Sequence, residues 1–150
     1  MNINHAVFRI PYYHSDQMGI AHNSRYLVYC EIGRTEFFRE VGYPYRKMEE
    51  NGILMPVVGG QVSYRSAMKY DDLLEIYTFV AEFSHRSVKM GHLLYVDERF
   101  CAAGMTKLTC ASANLKPMRF PPEVYQILEQ QAGIEKTKEY QLWKKYIEKI

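Results

Sequence analysis

Residues 13–41 read YHSDQMGIAHNSRYLVYCEIGRTEFFREV, and this stretch carries the signals that decide the fold. Asn23 or Ser24 can accept hydrogen bonds from the first free N–H groups of a helix, and Gly42 can take the left-handed conformation that ends one. The first two turns after Tyr26 are apolar almost all round, which favours a helix buried against a sheet. Apolar or small residues recur between these limits with helical spacing, at Tyr26, Tyr29, Cys30, Gly33, Phe37 and Val41.

Asp16 and Gly19 stand directly before this predicted helix. A carboxylate beside free backbone N–H groups can attack a carbonyl carbon, or activate a water against it, while those groups bind the carbonyl oxygen. An Asp at such a place can equally serve only to cap a turn or a helix. Because a buried helix follows, we predict an enzyme in which Asp16 is the catalytic carboxylate. The N–H of Gly19 or of a neighbour would then bind the developing oxyanion.

The chain beyond residue 52 changes to the alternation of apolar and polar residues that is typical of strands. Both sides of the segment 74–83 are apolar, which indicates a strand that is covered on both faces. Because no helix separates the strands, we expect an antiparallel meander and therefore an α+β fold. His92 is expected to be a packed histidine within a strand. The predicted strands are 53–64, 74–83, 87–97 and 105–115, with a hairpin turn at 84–87.

Prolines at 117, 121 and 122 end the last predicted strand and separate it from a helical tail at about 123–150. The tail contains two predicted helices, at 123–131 and at 136–150. A basic amphipathic helix can lie on a membrane, but ordinary helix patterning favours packing on the domain or on a neighbouring subunit. The apolar side of the second helix consists of Tyr140, Trp143, Ile147 and Ile150.

Composition indicates one small soluble domain over 1–150. A chain of 150 residues can bury about two-thirds of its unfolded surface. The net charge of +2 is small and the charges are interspersed, so no nucleic-acid partner is expected. Three cysteines without a Cys-x-x-Cys spacing, and no signal-like N-terminus, predict reduced thiols, a cytoplasmic location and no metal site. No apolar run approaches the roughly 18 residues that a membrane span needs.

These residues together resemble a known family, the 4-hydroxybenzoyl-CoA thioesterase-like acyl-CoA thioesterases with a single hot-dog domain. The resemblance covers roughly residues 5–125. It implies a curved antiparallel sheet wrapped around a central helix, and no cofactor apart from the CoA of the substrate. The matching positions are Asp16, Gly19, Asn23 and Tyr26, then Glu31-Ile32-Gly33-Arg34-Thr35-Glu36, and then Tyr70-Asp71-Asp72-Leu73-Leu74-Glu75.

The resemblance implies hydrolysis of an acyl-CoA thioester to a carboxylate and free CoA. Many members have Tyr and His where this chain has His22 and Asn23. Asn at that place is also seen in acyl-carrier-protein thioesterases of the same fold, so an acyl carrier protein substrate is an alternative. A non-catalytic acyl-CoA-binding module is another. In the enzyme, Asn23 would hold the turn or the attacking water, Tyr26 would support Asp16, and His22 would be an accessory group.

Other residues are candidates for further parts of the site. Glu31 and Glu36 are rival catalytic carboxylates, because a second branch of hot-dog thioesterases works from a Glu within the central helix. Arg65, Arg86 and Lys89 are candidates for binding the CoA phosphates, although each can equally be a solvated surface charge. The tyrosines that are candidates for an acyl pocket are Tyr12, Tyr13, Tyr43, Tyr45 and Tyr64.

A single small sheet leaves unpaired N–H and C=O groups along its edges. Pairing one edge with that of a second copy satisfies these groups. The family resemblance implies the same association. We therefore expect a homodimer or homotetramer whose active site lies between subunits.

Overall fold

The computed structural model describes residues 1–149 and has one five-stranded antiparallel sheet wrapped around a long helix. The strands are β1 (Asn4–Arg9), β2 (Ile53–Leu54), β3 (Val57–Tyr64), β4 (Leu73–Phe83), β5 (Ser87–Val96), β6 (Arg99–Thr109) and β7 (Ala111–Ser112). The helices are α1 (Tyr26–Glu40), α2 (Tyr45–Glu50), α3 (Pro122–Glu129) and α4 (Lys138–Ile147), with 3-10 turns at Tyr12–His14, Asn23–Arg25 and Ile134–Lys136.

The large sheet has the strand order β1-β4-β5-β6-β3, so β1 and β3 are its two edges. The short strands β2 and β7 form a separate pair. The strands β4, β5 and β6 follow one another as the predicted meander, and the α+β hot-dog fold is confirmed. The central helix ends where it was predicted to end, because Gly42 has a φ of 86°.

Two glycines let α1 lie directly on the sheet. A Cβ atom at Gly33 would overlap the hydroxyl of Thr78 and stand 2.6 Å from Cγ2 of Ile76. A Cβ atom at Gly104 on β6 would stand 2.5 Å from Sγ of Cys30. The helix and the sheet are therefore closer than any side chain at these positions would allow, and the position of α1 is fixed by this contact.

The opposite face of the sheet is covered by α4. Phe79 of β4 packs edge to face against Trp143, with ring centroids 5.7 Å apart. The indole N–H of Trp143 donates a hydrogen bond to the Gly104 carbonyl oxygen at 2.6 Å. The strand β4 is thus buried on both faces, as its sequence predicts, and α4 packs on its own domain. Ile150, which was predicted on the same apolar side, lies outside the described residues.

The structure corrects two predicted strands and one predicted cap. The strand predicted at 105–115 begins at Arg99, because Asp97 and Glu98 form a tight turn with φ values of 49° and 65°, and it ends at Thr109. The strand predicted at 53–64 is divided into β2 and β3 by Met55 and Pro56. The side chain that caps the first helical turn is that of His22, rather than Asn23 or Ser24. No helix within residues 1–149 is long and apolar enough to cross a bilayer.

Candidate active site

A cleft of about 440 Å³ opens where the N-terminal end of α1 meets the C-terminal end of β3. It brings together six of the residues that the sequence singles out: Asp16, His22, Asn23, Tyr26, Tyr64 and Arg65. The other residues of its wall are Met18, Ile20, Ala21, Ser66 and Ala67.

Asp16 lies in a tight turn that fixes its carboxylate. The N–H of Met18 donates to Oδ1 of Asp16 at 2.8 Å, and the backbone N–H of Asp16 donates to the Ile20 carbonyl oxygen at 2.9 Å. Gly19 closes the turn with a φ of 77°, a conformation that favours glycine. The carboxylate is half-buried, and Oδ2 has no hydrogen-bond partner among residues 1–149. One oxygen is therefore held by the turn while the other is open for chemistry.

The turn is anchored on both sides. The N–H of His22 donates to the His14 carbonyl oxygen at 2.8 Å, and the N–H of Ala21 donates to the Met68 carbonyl oxygen at 2.6 Å. His14 itself is buried, and its ring Nδ1 lies 3.0 Å from the hydroxyl of Tyr29 on α1. These bonds connect the Asp16 turn to the central helix and to the segment that precedes β4.

The helix begins at this cleft. Nδ1 of His22 accepts the N–H of Ser24 at 3.1 Å, and a 3-10 turn over Asn23–Arg25 runs directly into α1. The N–H of Asn23 has no acceptor among residues 1–149. Because this N–H belongs to the first turn of a helix, the helix dipole adds to its attraction for a negatively charged oxygen.

The N–H of Gly19 is differently placed. It donates to the Asp16 carbonyl oxygen at 3.0 Å, which closes the turn. It is therefore engaged within the turn, and the role of Gly19 or a neighbour in binding the oxyanion stays a prediction. Among its neighbours, the N–H of Asn23 lies in the first helical turn and is without an acceptor among residues 1–149.

Tyr26 forms the floor of the cleft. Its ring is buried and packs edge to face against Tyr64, with centroids 4.7 Å apart. Burial, and then the nearby Cys101 and Tyr64 side chains, raise the pKa of Tyr26 to about 12. The phenol is thus a neutral hydrogen-bond donor at neutral pH. Its hydroxyl has no partner among residues 1–149, yet it is not sealed from solvent.

Two residues of the cleft wall, Ser66 and Ala67, were not predicted from the sequence. Ser66 and Ala67 lie between β3 and β4, where no periodicity marks them. Arg99 holds this wall, since its guanidinium donates to Ser66 Oγ at 2.7 Å and to the Ala67 carbonyl oxygen at 2.8 Å. The preceding N–H, that of Arg65, donates to the Cys101 carbonyl oxygen at 2.8 Å.

Several other predicted residues lie away from the cleft. Arg86 is in the turn between β4 and β5, and Lys89 pairs with Glu82 at 3.2 Å beside α4, so neither reaches the cleft within one chain. Glu31 is exposed on α1, and Glu36 pairs with Arg39. Of the tyrosines proposed for an acyl pocket, only Tyr64 lines this cleft; the others are Tyr12, Tyr13, Tyr43 and Tyr45.

The three cysteines are free and buried. Burial raises the pKa of Cys30 to about 12, with Arg34 acting in the opposite direction, so this thiol stays protonated. Within residues 1–149, His, Cys, Asp and Glu side chains form no group of three that could hold a metal ion.

Comparison with known proteins identifies the family of this chain. The family model described as the thioesterase-like superfamily matches residues 11–128. A putative esterase from Aquifex aeolicus is 31% identical over 121 residues, which cover 81% of this chain and 94% of that protein. The putative acyl-CoA thioesterase YneP from Bacillus subtilis is 28% identical over 122 residues, covering 80% of this chain and 88% of that protein.

A solved structure shows the same fold. The DHNA-CoA thioesterase from Staphylococcus aureus is 21% identical and has a TM-score of 0.85, covering 91% of this chain and 95% of that one. The residues matched by the family model include the Asp16 turn, the whole of α1 and all the strands from β2 to β7. The chain therefore belongs to the thioesterase-like superfamily.

Proposed function

We propose that this protein is an acyl-CoA thioesterase, which hydrolyses the thioester to a carboxylate and free CoA. One observation carries the proposal: an Asp16 carboxylate with one open oxygen shares a cleft with Asn23, whose helix-terminal N–H is free. Family membership and the names of the relatives point to the same reaction.

Asp16 can act in either of two ways. As a nucleophile, its Oδ2 bonds to the carbonyl carbon, the C–S bond breaks, CoA leaves as a thiolate, and water then cleaves the mixed anhydride. As a general base, it takes a proton from a water whose oxygen adds to the carbonyl carbon before the C–S bond breaks. In both routes the Met18 N–H holds Oδ1, which leaves Oδ2 free for the reaction.

The developing negative charge needs a donor, and the free N–H of Asn23 supplies it. A preorganised N–H at a helix N-terminus stabilises an oxyanion without reorganisation during the reaction. The neutral phenol of Tyr26 would donate a hydrogen bond to Asp16 or to the attacking water. His22 supports the site indirectly, because it caps the turn that presents Asn23.

The negatively charged phosphates of CoA need a cation near the mouth of the cleft. Arg65 is exposed at the end of β3 and lines the cleft, so its guanidinium can pair with a phosphate through two donors. We assign the CoA phosphates to Arg65 within this chain. Arg86 and Lys89 would take part only if a second subunit brought them to the cleft.

We further propose a homodimer that pairs through β3. This strand is a free sheet edge, and its first two side chains, Val57 and Val58, are 51% and 57% exposed. Exposed valines on an unpaired edge strand favour association with a second copy. The cleft at the other end of β3 would then lie at the subunit boundary. A homotetramer would require a further contact between such dimers.

The test is a thiol-release assay with acyl-CoA thioesters of increasing chain length and with an acyl group on acyl carrier protein. Release of CoA with turnover supports the proposal, and a preference for the carrier-protein thioester would favour the alternative substrate. Saturable binding of acyl-CoA without any thiol release would instead indicate a binding module.

A further inference from the structure

A second cavity, of about 430 Å³, lies further along the seam between α1 and β3. We call it the Arg34 groove. Its walls are mainly apolar, and its polar members are Arg34, Glu31 and Thr106. The apolar side chains that matter here are Leu27, Val28, Val57 and Val58.

Arg34 is a buried cation that is only partly satisfied. The residue is 7% exposed, and its Nε donates to the hydroxyl of Tyr45 at 2.8 Å. The two terminal nitrogens make no hydrogen bond to residues 1–149, and no carboxylate of these residues lies within 4.0 Å. Among residues 1–149, Asn4 Oδ1 is the one side-chain polar atom that is both hidden from solvent and without a hydrogen-bond partner. The terminal nitrogens of Arg34 are therefore not hidden from solvent, and Arg34 lines the groove.

The surroundings do not neutralise this charge. His92 lies on the sheet below α1, and burial, followed by the charge of Arg34, lowers its pKa to about 3. It is therefore neutral and does not offset the charge of Arg34. Glu31 lines the same groove but is exposed to solvent. Hydrogen bonds from a guanidinium to oxygen are charge-assisted and strong, so an oxygen acceptor that enters the groove can replace water at the terminal nitrogens of Arg34.

We propose that the Arg34 groove binds the remote end of the acyl group, and that this end carries an oxygen acceptor, a hydroxyl or a carboxylate, rather than a methyl. The inference rests on the proposed thioesterase activity and adds a substrate class to it. The apolar side chains that α1 contributes to the groove, Leu27 and Val28, would hold the chain, and the terminal nitrogens of Arg34 would select its end.

The two cavities follow one another along α1 and β3. On α1 the cleft ends at Tyr26 and the groove begins at Leu27, while on β3 the cleft lies at Tyr64 and the groove reaches Gly60. From Asn23 to Arg34 the helix rises about 16 Å. Helical side chains lean toward the N-terminus, so Arg34 reaches back and shortens this distance. A medium-length acyl chain matches the separation.

The test measures kcat/KM by thiol release for octanoyl-, decanoyl- and dodecanoyl-CoA, each with a methyl, hydroxyl or carboxyl group at its far end. We expect an oxygen-terminated chain to be favoured about tenfold or more over the methyl-terminated chain of the same length, at one length at least. Arg34→Met should abolish this preference, and Arg34→Lys should retain part of it. A preference for the hydroxyl series over the carboxyl series would identify a neutral end, because the Glu31 carboxylate repels an anion.

The matched control is Arg39→Met, which removes an exposed arginine from the same helix and should leave the preference unchanged. Equal or greater activity of the wild-type protein on methyl-terminated chains at every length would overturn the inference, even if Arg34→Met fails to fold. An Arg34→Met protein that loses activity on all chains equally would also overturn it, since that result indicates a purely structural arginine. No thiol release from any thioester would overturn the proposed function, and the inference with it.

Discussion

Gly33→Ala is the substitution that most sharply tests how α1 holds the cleft. The added methyl would overlap the Thr78 hydroxyl and meet Ile76 Cγ2 at 2.6 Å, about 0.8 Å short of ordinary contact at 3.4 Å. Thr78 cannot turn away freely, because its hydroxyl lies 3.1 Å from Nδ1 of the buried His92. The helix must therefore lift from the sheet or the core must shift.

The sign of the change in the free energy of unfolding shows whether α1 and β4 are in close contact. Helix propensity alone would make Ala about 1 kcal/mol better than Gly, whereas forcing a methyl into a packed core costs roughly 1–3 kcal/mol or more. Because the overlap at Gly33 is severe, we take the upper part of that range, about 2–3 kcal/mol, and expect a net loss of about 1–2 kcal/mol, which lowers the Tm of a chain of this size by about 2–8 °C. Calorimetry measures the Tm, and an unchanged or higher Tm would refute the close contact between α1 and β4.

The same substitution should also change the active site, because the 3-10 turn that contains Asn23 runs directly into α1. A displacement of about 1 Å can cost up to roughly a hundredfold in rate, so we expect thiol release to fall at least about tenfold. Gly42→Ala is the matched control, since that glycine has a φ of 86° and open space around it. It should lower the Tm through backbone strain and leave the rate per folded molecule unchanged.

Three further substitutions test separate parts of the account. Arg65→Ala should raise the KM for acyl-CoA several-fold at low salt and less at high salt. The control Arg46→Ala, which removes an exposed arginine paired with Glu50, should leave the KM unchanged. Equal effects of the two substitutions would contradict the binding of the CoA phosphates by Arg65. Because the folded pKa of His92 is about 3, below the 6.5 of the unfolded chain, stability should fall by about 1.4 kcal/mol per pH unit as the pH drops from 6.5 toward 3. Urea unfolding of His92→Asn should show a shallower slope over that range, and identical slopes would contradict the buried neutral state. Trp143→Ala should cost about 3–5 kcal/mol in urea unfolding, and a loss below about 1 kcal/mol would mean that α4 does not hold the sheet.

The central helix and the Asp16 turn could be predicted because their signals are local. The spacing from Tyr26 to Val41, the glycine at 42 and the Asp-x-x-Gly turn each lie within a few residues of the structure that they specify. His92 was also predicted as a packed residue, and it is fully buried between Thr78 and Thr106. Its position in an apolar alternating strand was sufficient for that prediction.

Other features depend on partners that are distant in sequence. The turn at Asp97 and Glu98 has positive φ at two residues that are not glycine, so its composition did not reveal where β6 begins. Ser66 and Ala67 enter the cleft because Arg99, more than thirty positions later, holds them there. No local pattern carries that information.

The available donor at the site was likewise decided by tertiary geometry. Gly19 and Asn23 both lie near Asp16 in sequence, but the turn closes through the Gly19 N–H and leaves that of Asn23 free. The basic residues proposed to bind the CoA phosphates lie in different parts of the structure for a similar reason. Arg65 follows β3 into the cleft, whereas Lys89 points to the face covered by α4.

The most direct measurement of the central claim compares thiol release by Asp16→Asn and by Glu31→Gln with that of the wild-type protein. Asn keeps the shape of the side chain and removes both the nucleophile and the base, so turnover should fall by at least about a hundredfold while folding and oligomer size stay the same. Glu31→Gln should leave turnover within a few-fold of wild type, because Glu31 lies outside the cleft. Near-normal turnover in Asp16→Asn together with its loss in Glu31→Gln would contradict the account and assign catalysis to the carboxylate on the helix.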